Sequence, residues 1–460
     1  MPHHEISNVS QNITFLFAGI LSLMVIFLAL EEKIHAKKSV ITGITMVISL
    51  FLGILLLPLP HPSGHMPLYI PFVDWEVVLI ILGSSLFVDV VSRSGIFSWA
   101  AIRLTKLSEG NPVTLLWYYS ILTVVFSAVL NNVTAMIIIG SLSAVSLKKL
   151  GQKEKLLGFL LVEGLLTNVG GLLTLISSVP NIIVGKKAGI TFLRFFICAS
   201  PYVVISTIVT VYAGLYIFKI GKKKRKVKDS EEQSLIDSFD ENDGIESESF
   251  FYFSWVMFAI LIILFATQSI VPGLKQLGLG YIAMSMAIIV LLKYKNEVNK
   301  NYKAMDWDLL FFFSFLFTII GIMEHAGVLK MLGGFISGLV ALGPKAGSMA
   351  LLWGSACVSS VTDNIPLAAV LANILDGMKH TLKDPATFNM SFWWCVIFGA
   401  NLGGNITPIG SASTVVAVTI IHKHEIKFSF FDFVKAAVPF AFVQLLIAAA
   451  YILFILPLFL

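Results

Sequence analysis

The chain has 460 residues, of which 57% are hydrophobic and only 13% charged. Soluble domains carry about 25% charged residues, so this composition excludes a water-soluble globular protein and leaves no room for a large soluble domain. The formal net charge of +5 comes mostly from lysines that flank apolar runs, the pattern of cytoplasmic membrane loops rather than of a nucleic-acid footprint.

The opening MPHHEISNVSQN lacks the basic start of a cleavable leader, so the first apolar run, 13–30, is expected to be a retained span. Apolar runs follow at 39–58, 76–92, 113–147, 156–190 and 193–219. Residues 221–250 then pass from a basic stretch (KKKRKVK) to an acidic, serine-rich one, a composition that cannot bury a core and predicts a disordered connector. A second set of six runs lies at 252–270, 277–292, 307–323, 346–378, 391–420 and 429–459. The chain therefore divides into a first membrane repeat (1–220), the connector (221–250) and a second membrane repeat (251–460).

The run 113–147 is too long for one straight crossing, since about 35 residues in a helix would extend over roughly 50 Å. It must fold as a hairpin. Its turn, Asn131-Asn132, has no hydrophilic loop, so the hairpin is expected to be re-entrant and to end at mid-membrane, where irregular backbone must face protein or a cavity. The run 346–378 has the same form.

The halves match in order and spacing. Asp74-Trp75-Glu76 recurs as Asp306-Trp307-Asp308, Gly95 as Gly327, Asn131-Asn132 as Asp363-Asn364, and TNVGGLLTLISS (167–178) as ANLGGNITPIGS (400–411). Counting lysines and arginines, an outside N-terminus places most of the 32 basic residues on the cytoplasmic side, the connector included, and leaves the C-terminus outside. Each half then crosses an odd number of times, which inverts the second repeat. The fold class expected is all-α: a polytopic membrane protein of two inverted repeats, each with a re-entrant hairpin and a discontinuous helix.

Four polar breaks interrupt the apolar runs. Two are the hairpin tips, with Asn131, Asn132 and Thr134 in the first and Asp363 and Asn364 in the second. Their side-chain oxygens lie beside helix ends whose unpaired backbone groups can face an ion. The other two are 167–181, with Asn168, Gly170, Gly171, Thr174, Ser177, Ser178 and Asn181, and 400–414, with Asn401, Gly403, Gly404, Thr407, Ser411 and Thr414. Glycine pairs followed by Pro180 or Pro408 are expected to unwind the helix, freeing carbonyls. Together with the hydroxyls of Thr174, Ser178, Thr407 and Ser411, these carbonyls form hard-oxygen sites for Na+ or partners for a small oxyanion. GGFISG (333–338) occurs once and reads as helix packing.

Three carboxylates inside apolar runs are coupling candidates, because a charge there is costly and retained for function. They are Asp363, Glu163 and Asp89, the last with Arg93 one turn away as an alternative structural partner. Asp74, Trp75, Asp306 and Trp307 read as helix starts at the interface. Cys198, Cys357 and Cys395 form no CxxC spacing and read as small core residues. HExxH, GxSxG and paired membrane histidines are missing, so an enzyme is not indicated and no cofactor is expected beyond a coupling H+ or Na+.

With these motifs the chain resembles the ion transporter superfamily, which includes arsenite permeases, the melanosomal P-protein, NhaD-type Na+/H+ antiporters and citrate or dicarboxylate carriers. VEGLLTNVGGLLTLISSVPN is similar to the arsenite permease and P-protein branch, as are TDNIP and GANLGGNITPIGSAS. On that likeness the hairpin tips fall at Asn132 and Asn364 and the unwound loops at 170–181 and 403–414. The resemblance implies a scaffold domain, a mobile transport domain, elevator-like alternation and a homodimer. The chain departs from that branch at Asn131 and at Ser177-Ser178-Val179-Pro180, where the pattern has a carboxylate in each case. The function expected is secondary active transport of a small inorganic ion or oxyanion, coupled to H+ or Na+, across a cell membrane. A Na+-coupled citrate or dicarboxylate symporter and a passive channel are the alternatives.

Overall fold

The computed structural model describes residues 9–59, 66–221, 240–242, 244, 245, 247–381 and 388–460. Most of the expected connector, 222–239 with 243 and 246, lies outside the described residues. The described residues form eighteen helices of ten residues or more, nine in each half. In the first half these are α1 (Gln11–Ala29), α2 (Lys38–Leu56), α3 (Trp75–Ser92), α4 (Ile96–Leu107), α5 (Pro112–Val129), α6 (Asn132–Lys149), α7 (Leu156–Gly170), α8 (Val179–Ala188) and α9 (Phe192–Ile217). In the second they are α10 (Glu248–Thr267), α11 (Pro272–Lys293), α12 (Trp307–His325), α13 (Val328–Val340), α14 (Pro344–Ser359), α15 (Asn364–Thr381), α16 (Ser391–Gly403), α17 (Ala412–Lys423) and α18 (Phe430–Ala450). Among the described residues, nine helices are long and apolar enough to cross a membrane.

Each helix has its counterpart nine places on, and the packing repeats with it. α2 lies along α12 as α11 lies along α3; α5 and α6 flank α7 as α14 and α15 flank α16; α8 rests on α15 and α16 as α17 rests on α6 and α7. The two halves are thus interleaved, and neither broken crossing is complete without the other repeat.

Local chemistry explains the helix starts. Asp74 caps α3 by accepting from the Val77 N–H, and Asp306 caps α12 by accepting from the Leu309 N–H. The adjoining indoles, Trp75 and Trp307, donate to the carbonyls of Ile70 and Tyr302. Glu76 and Asp308 then each reach the second helix of the opposite repeat: Glu76 accepts from the Leu279 N–H at 3.2 Å and Asp308 from the Ser39 N–H at 3.2 Å. Glu76 satisfies a backbone donor exposed where α11 breaks at Gly278, whose φ of +78° suits glycine.

Glycine also sets the approach of the broken crossings to the hairpins. A Cβ at Gly170 would lie 2.7 Å from the Val124 Cα, and one at Gly403 would lie 2.4 Å from the Ala356 carbonyl oxygen. Gly403→Ala is therefore expected to force α16 off α14, at a cost of about 1–3 kcal/mol. A lower melting temperature in detergent, with smaller loss for Gly334→Ala, where the added atom meets open space, checks this.

Several expectations need correction. The hairpin limbs have 18, 18, 16 and 18 residues. An 18-residue limb runs about 27 Å. The short helices α4 and α13 were not among the expected runs; both start at a glycine with positive φ, Gly95 and Gly327. GGFISG lies on α13; an added Cβ would be in ordinary contact with Ile374 at Gly333 and would meet open space at Gly334 and Gly338, while Ile336 between them is buried. Cys198 and Cys395 are buried as expected, whereas Cys357 is exposed.

Candidate functional site

The ends of the broken crossings and the first hairpin tip meet in one buried, uncharged hydrogen-bond network. Asn168, on the last turn of α7, uses its Oδ1 to accept from Asn132 at 3.1 Å, Ser411 at 2.9 Å and, more weakly, Ser413 at 3.4 Å. Its Nδ2 donates to Asn405 at 2.8 Å. Asn401, the counterpart on α16, accepts from Ser178 at 2.8 Å and donates to Asn181 Oδ1 at 3.0 Å. Each repeat therefore sends a serine, Ser178 or Ser411, to the asparagine of the other.

The same mirror governs attachment of each unwound loop to its hairpin. Thr174 donates to the Ala128 carbonyl at 2.5 Å and Thr407 to the Ser360 carbonyl at 2.5 Å. Ser127 donates to the Thr167 carbonyl and Ser359 to the Ala400 carbonyl, both at 2.6 Å. Such satisfaction is required of polar groups taken out of water.

The loops are unwound as expected, but their freed carbonyls are not idle. Gly171 and Thr174 carbonyls accept from both Ser177 and Asn181, while Pro408 and Ser411 carbonyls accept from Thr414. The hydroxyls of Thr174, Ser178, Thr407 and Ser411 all donate to protein oxygens, leaving oxygen lone pairs as the only ligands they could offer Na+. Gly170 and Gly403 serve close packing, and Gly171 sits against the Asn132 amide, where a Cβ would be 2.7 Å from its oxygen. A Cβ at Gly404 would lie 2.9 Å from the Gly410 carbonyl oxygen. No cluster of three His, Cys, Asp or Glu residues occurs among the described residues.

The two tips differ. In the first, Asn131 caps α6 through the Thr134 N–H, which is the contact through which Thr134 takes part, and Asn132 is docked by accepting from Ser127 at 2.7 Å and donating to Asn168. In the second, Asn364 makes no counterpart bond among the described residues. Asp363 accepts from the Ile365 N–H at 2.9 Å and pairs with Lys38 at the start of α2, which also approaches Glu31 at 3.5 Å.

The remaining carboxylates are placed apart from this network. Glu163, fully buried on α7, accepts from Ser143 at 2.5 Å through Oε1, and its Oε2 has no partner among the described residues. Asp89 pairs with Arg93 at 3.1 Å, and Arg93 continues to Glu297 at 3.4 Å. Lys300 beside it holds the Glu297 carboxyl below its usual range. This is the structural pairing foreseen for Asp89, and no bond joins it to the broken crossings.

Residues that the sequence did not single out complete the site. Asn405 donates to the Leu165 carbonyl and to Gln444 on α18, and Gln444 donates to Thr210 on α9. Thr167 donates to Ser413 at 2.8 Å. Their signal was an amide or hydroxyl amid apolar neighbours, but Asn405 aligns with Leu172 and so fell outside the mirrored pattern.

Comparison with known proteins identifies the family and the fold. Residues 40–391 match a family described as citrate transporter. The chain is 26% identical over 425 residues to a 46 kDa membrane protein of Mycobacterium leprae, covering 92% of this chain and 94% of that one. It is 24% identical over 460 residues to the human P protein, covering 84% of this chain and 54% of that protein. Among solved structures, the YdaH transporter of Alcanivorax borkumensis superposes with a TM-score of 0.59 at 12% identity, covering 96% and 97% of the two chains, which shows a shared fold.

Proposed function

Because the chain belongs to the citrate transporter family, a family of multi-pass membrane transporters and not of enzymes, we propose that it is a secondary active transporter for a small inorganic ion or oxyanion, coupled to H+ or Na+. The observation that carries the reading is the buried, charge-free set of Asn, Ser and Thr side chains at paired helix breaks. The N-termini of α6, α8 and α17 begin beside this network, and their unpaired N–H groups favour partial negative charge on a solute. Amide and hydroxyl groups supply both donors and acceptors at a scale suited to a few oxygens around one centre. In this reading the hairpins and broken crossings move as a transport domain against a scaffold containing α2, α3, α11 and α12. The protein is a homodimer in a cell membrane, with both termini outside and the connector cytoplasmic.

A Na+-coupled citrate or dicarboxylate symporter is the second reading, favoured by the family description. Against it, no lysine or arginine is bonded to the network among the described residues, and a di- or tricarboxylate would need its charge balanced there. Uptake of arsenite, silicate, sulfate, citrate and succinate into proteoliposomes, each with an imposed pH or Na+ gradient, separates the two. Gradient-driven movement of an inorganic species is the expected result. Citrate or succinate accumulating on a Na+ gradient while the inorganic species stay out would establish the second reading instead.

A further inference from the structure

The Lys38–Asp363 pair has no mirror image, and both of its members are missing from the mirrored place. Asp363 aligns with Asn131. Lys38 aligns with Gly278, because Ser39 and Leu279 make the equivalent backbone bonds to Asp308 and Glu76. The first tip, without an acid, is docked: Asn132 sits on Asn168. The second hairpin, whose acid is held by Lys38, is seated through Ser359 and Thr407 in the same way, but its Asn364 side chain is not docked: among the described residues it makes no bond to Asn401, although Asn401 Oδ1 receives only Ser178 where Asn168 Oδ1 receives three donors.

We propose that the second hairpin tip is a cation-operated gate: Lys38 holds Asp363 and keeps the Asn364 side chain from docking, and a coupling cation or proton that takes Asp363 frees the tip to close through Asn364 on Asn401. The ammonium of Lys38 stands in for that cation. One carboxylate charge balances only one of the two cations, so their competition for Asp363 ties tip closure to ion binding. Glu31, already 3.5 Å from the Lys38 ammonium, retains the lysine after release, so Lys38 is not left without a counter-ion. The charged groups around the pair are Lys38 and Glu31 before and at the start of α2 and Asp308 from α12, the last engaged by the Ser39 hydroxyl at 2.5 Å. Asymmetry follows: one gate responds to the ion, and the other is closed by neutral amides. The proposal rests on the transport reading and deepens it.

The test is the rate at which a membrane-impermeant maleimide modifies Val361→Cys, an exposed tip position, in full-length protein in proteoliposomes, with exposed Cys357 replaced by serine. In choline buffer the tip is expected to react fast. Na+ at fixed pH, or acid without Na+, is expected to slow it on the order of tenfold, and the effective arm identifies the ion. Lys38→Met is expected to slow labelling without either cation, Lys38→Arg to restore the wild-type response, and Asn364→Ala to keep the tip reactive under every condition. Labelling that ignores Lys38→Met, or protection that survives Asn364→Ala, overturns the proposal. The readout needs no transported solute, so a flux assay that finds no substrate leaves it standing or fallen on its own.

Discussion

Asn168→Ala is expected to abolish transport and to destabilise the protein by roughly 3 kcal/mol or more, because it strips buried donors on Asn132, Ser411 and Ser413 of their acceptor and Asn405 of its donor. The loss is larger than for an ordinary buried polar residue because one side chain joins both repeats and the docked tip. Asn364→Ala, at the undocked tip, is expected to leave stability within about 0.5 kcal/mol of wild type. Thermal unfolding in detergent, alongside flux, measures the difference. Equal melting temperatures for both variants would show that the network is not holding the halves together.

The second large effect is expected at Glu163. Its counterpart in the second half, one turn into the matching helix, is Val396, so the acid belongs to one repeat alone. Nothing in α7 packing demands a carboxyl: Ser143 satisfies one oxygen, and the other is bare in a fully buried place, where a full negative charge is costly. Glu163→Gln keeps the shape and the Ser143 bond while removing the proton site. The variant is expected to fold normally and to lose accumulation driven by a pH gradient, while exchange of solute at equal concentrations persists. Wild-type pH-driven accumulation in this variant would remove Glu163 from coupling and leave the gate acid, Asp363, as the candidate.

Much of the architecture was legible because lipid makes polar residues conspicuous. Asparagines at 131, 132, 168 and 401 interrupt runs that are mostly apolar, and the glycine pairs at 170–171 and 403–404 mark the two crossings at matched positions. The structure places helix ends at those points. What could not be read was partnership. Lys38 and Asp363 are 325 residues apart, and Lys38 looked like one more flanking lysine. Asn405, Gln444 and Thr210 were hidden for a related reason: internal symmetry marks the mirrored residues, and this branch of the network breaks it. The short helices α4 and α13 escaped because their length and mixed faces fit neither a span nor a loop.

The asymmetry between tips also changes the meaning of Asp363. As a sequence motif it was a free carboxylate waiting for Na+ or H+. In the structure its charge is already matched by Lys38, so ion binding there is an exchange between cations and not the filling of a vacant charge. A mechanism in which one hairpin carries that exchange while the other stays docked makes coupling a property of the second repeat's tip, with Glu163 as the acid of the first repeat.

The most direct test of the central claim is solute accumulation in proteoliposomes under an imposed pH or Na+ gradient, measured for wild type and Asn168→Ala side by side. The account predicts concentration of an inorganic ion or oxyanion above equilibrium by wild type only while the gradient lasts, and no uptake above protein-free vesicles by the variant. Flux that merely equilibrates the solute whatever gradient is imposed, or accumulation undiminished in Asn168→Ala, would contradict it.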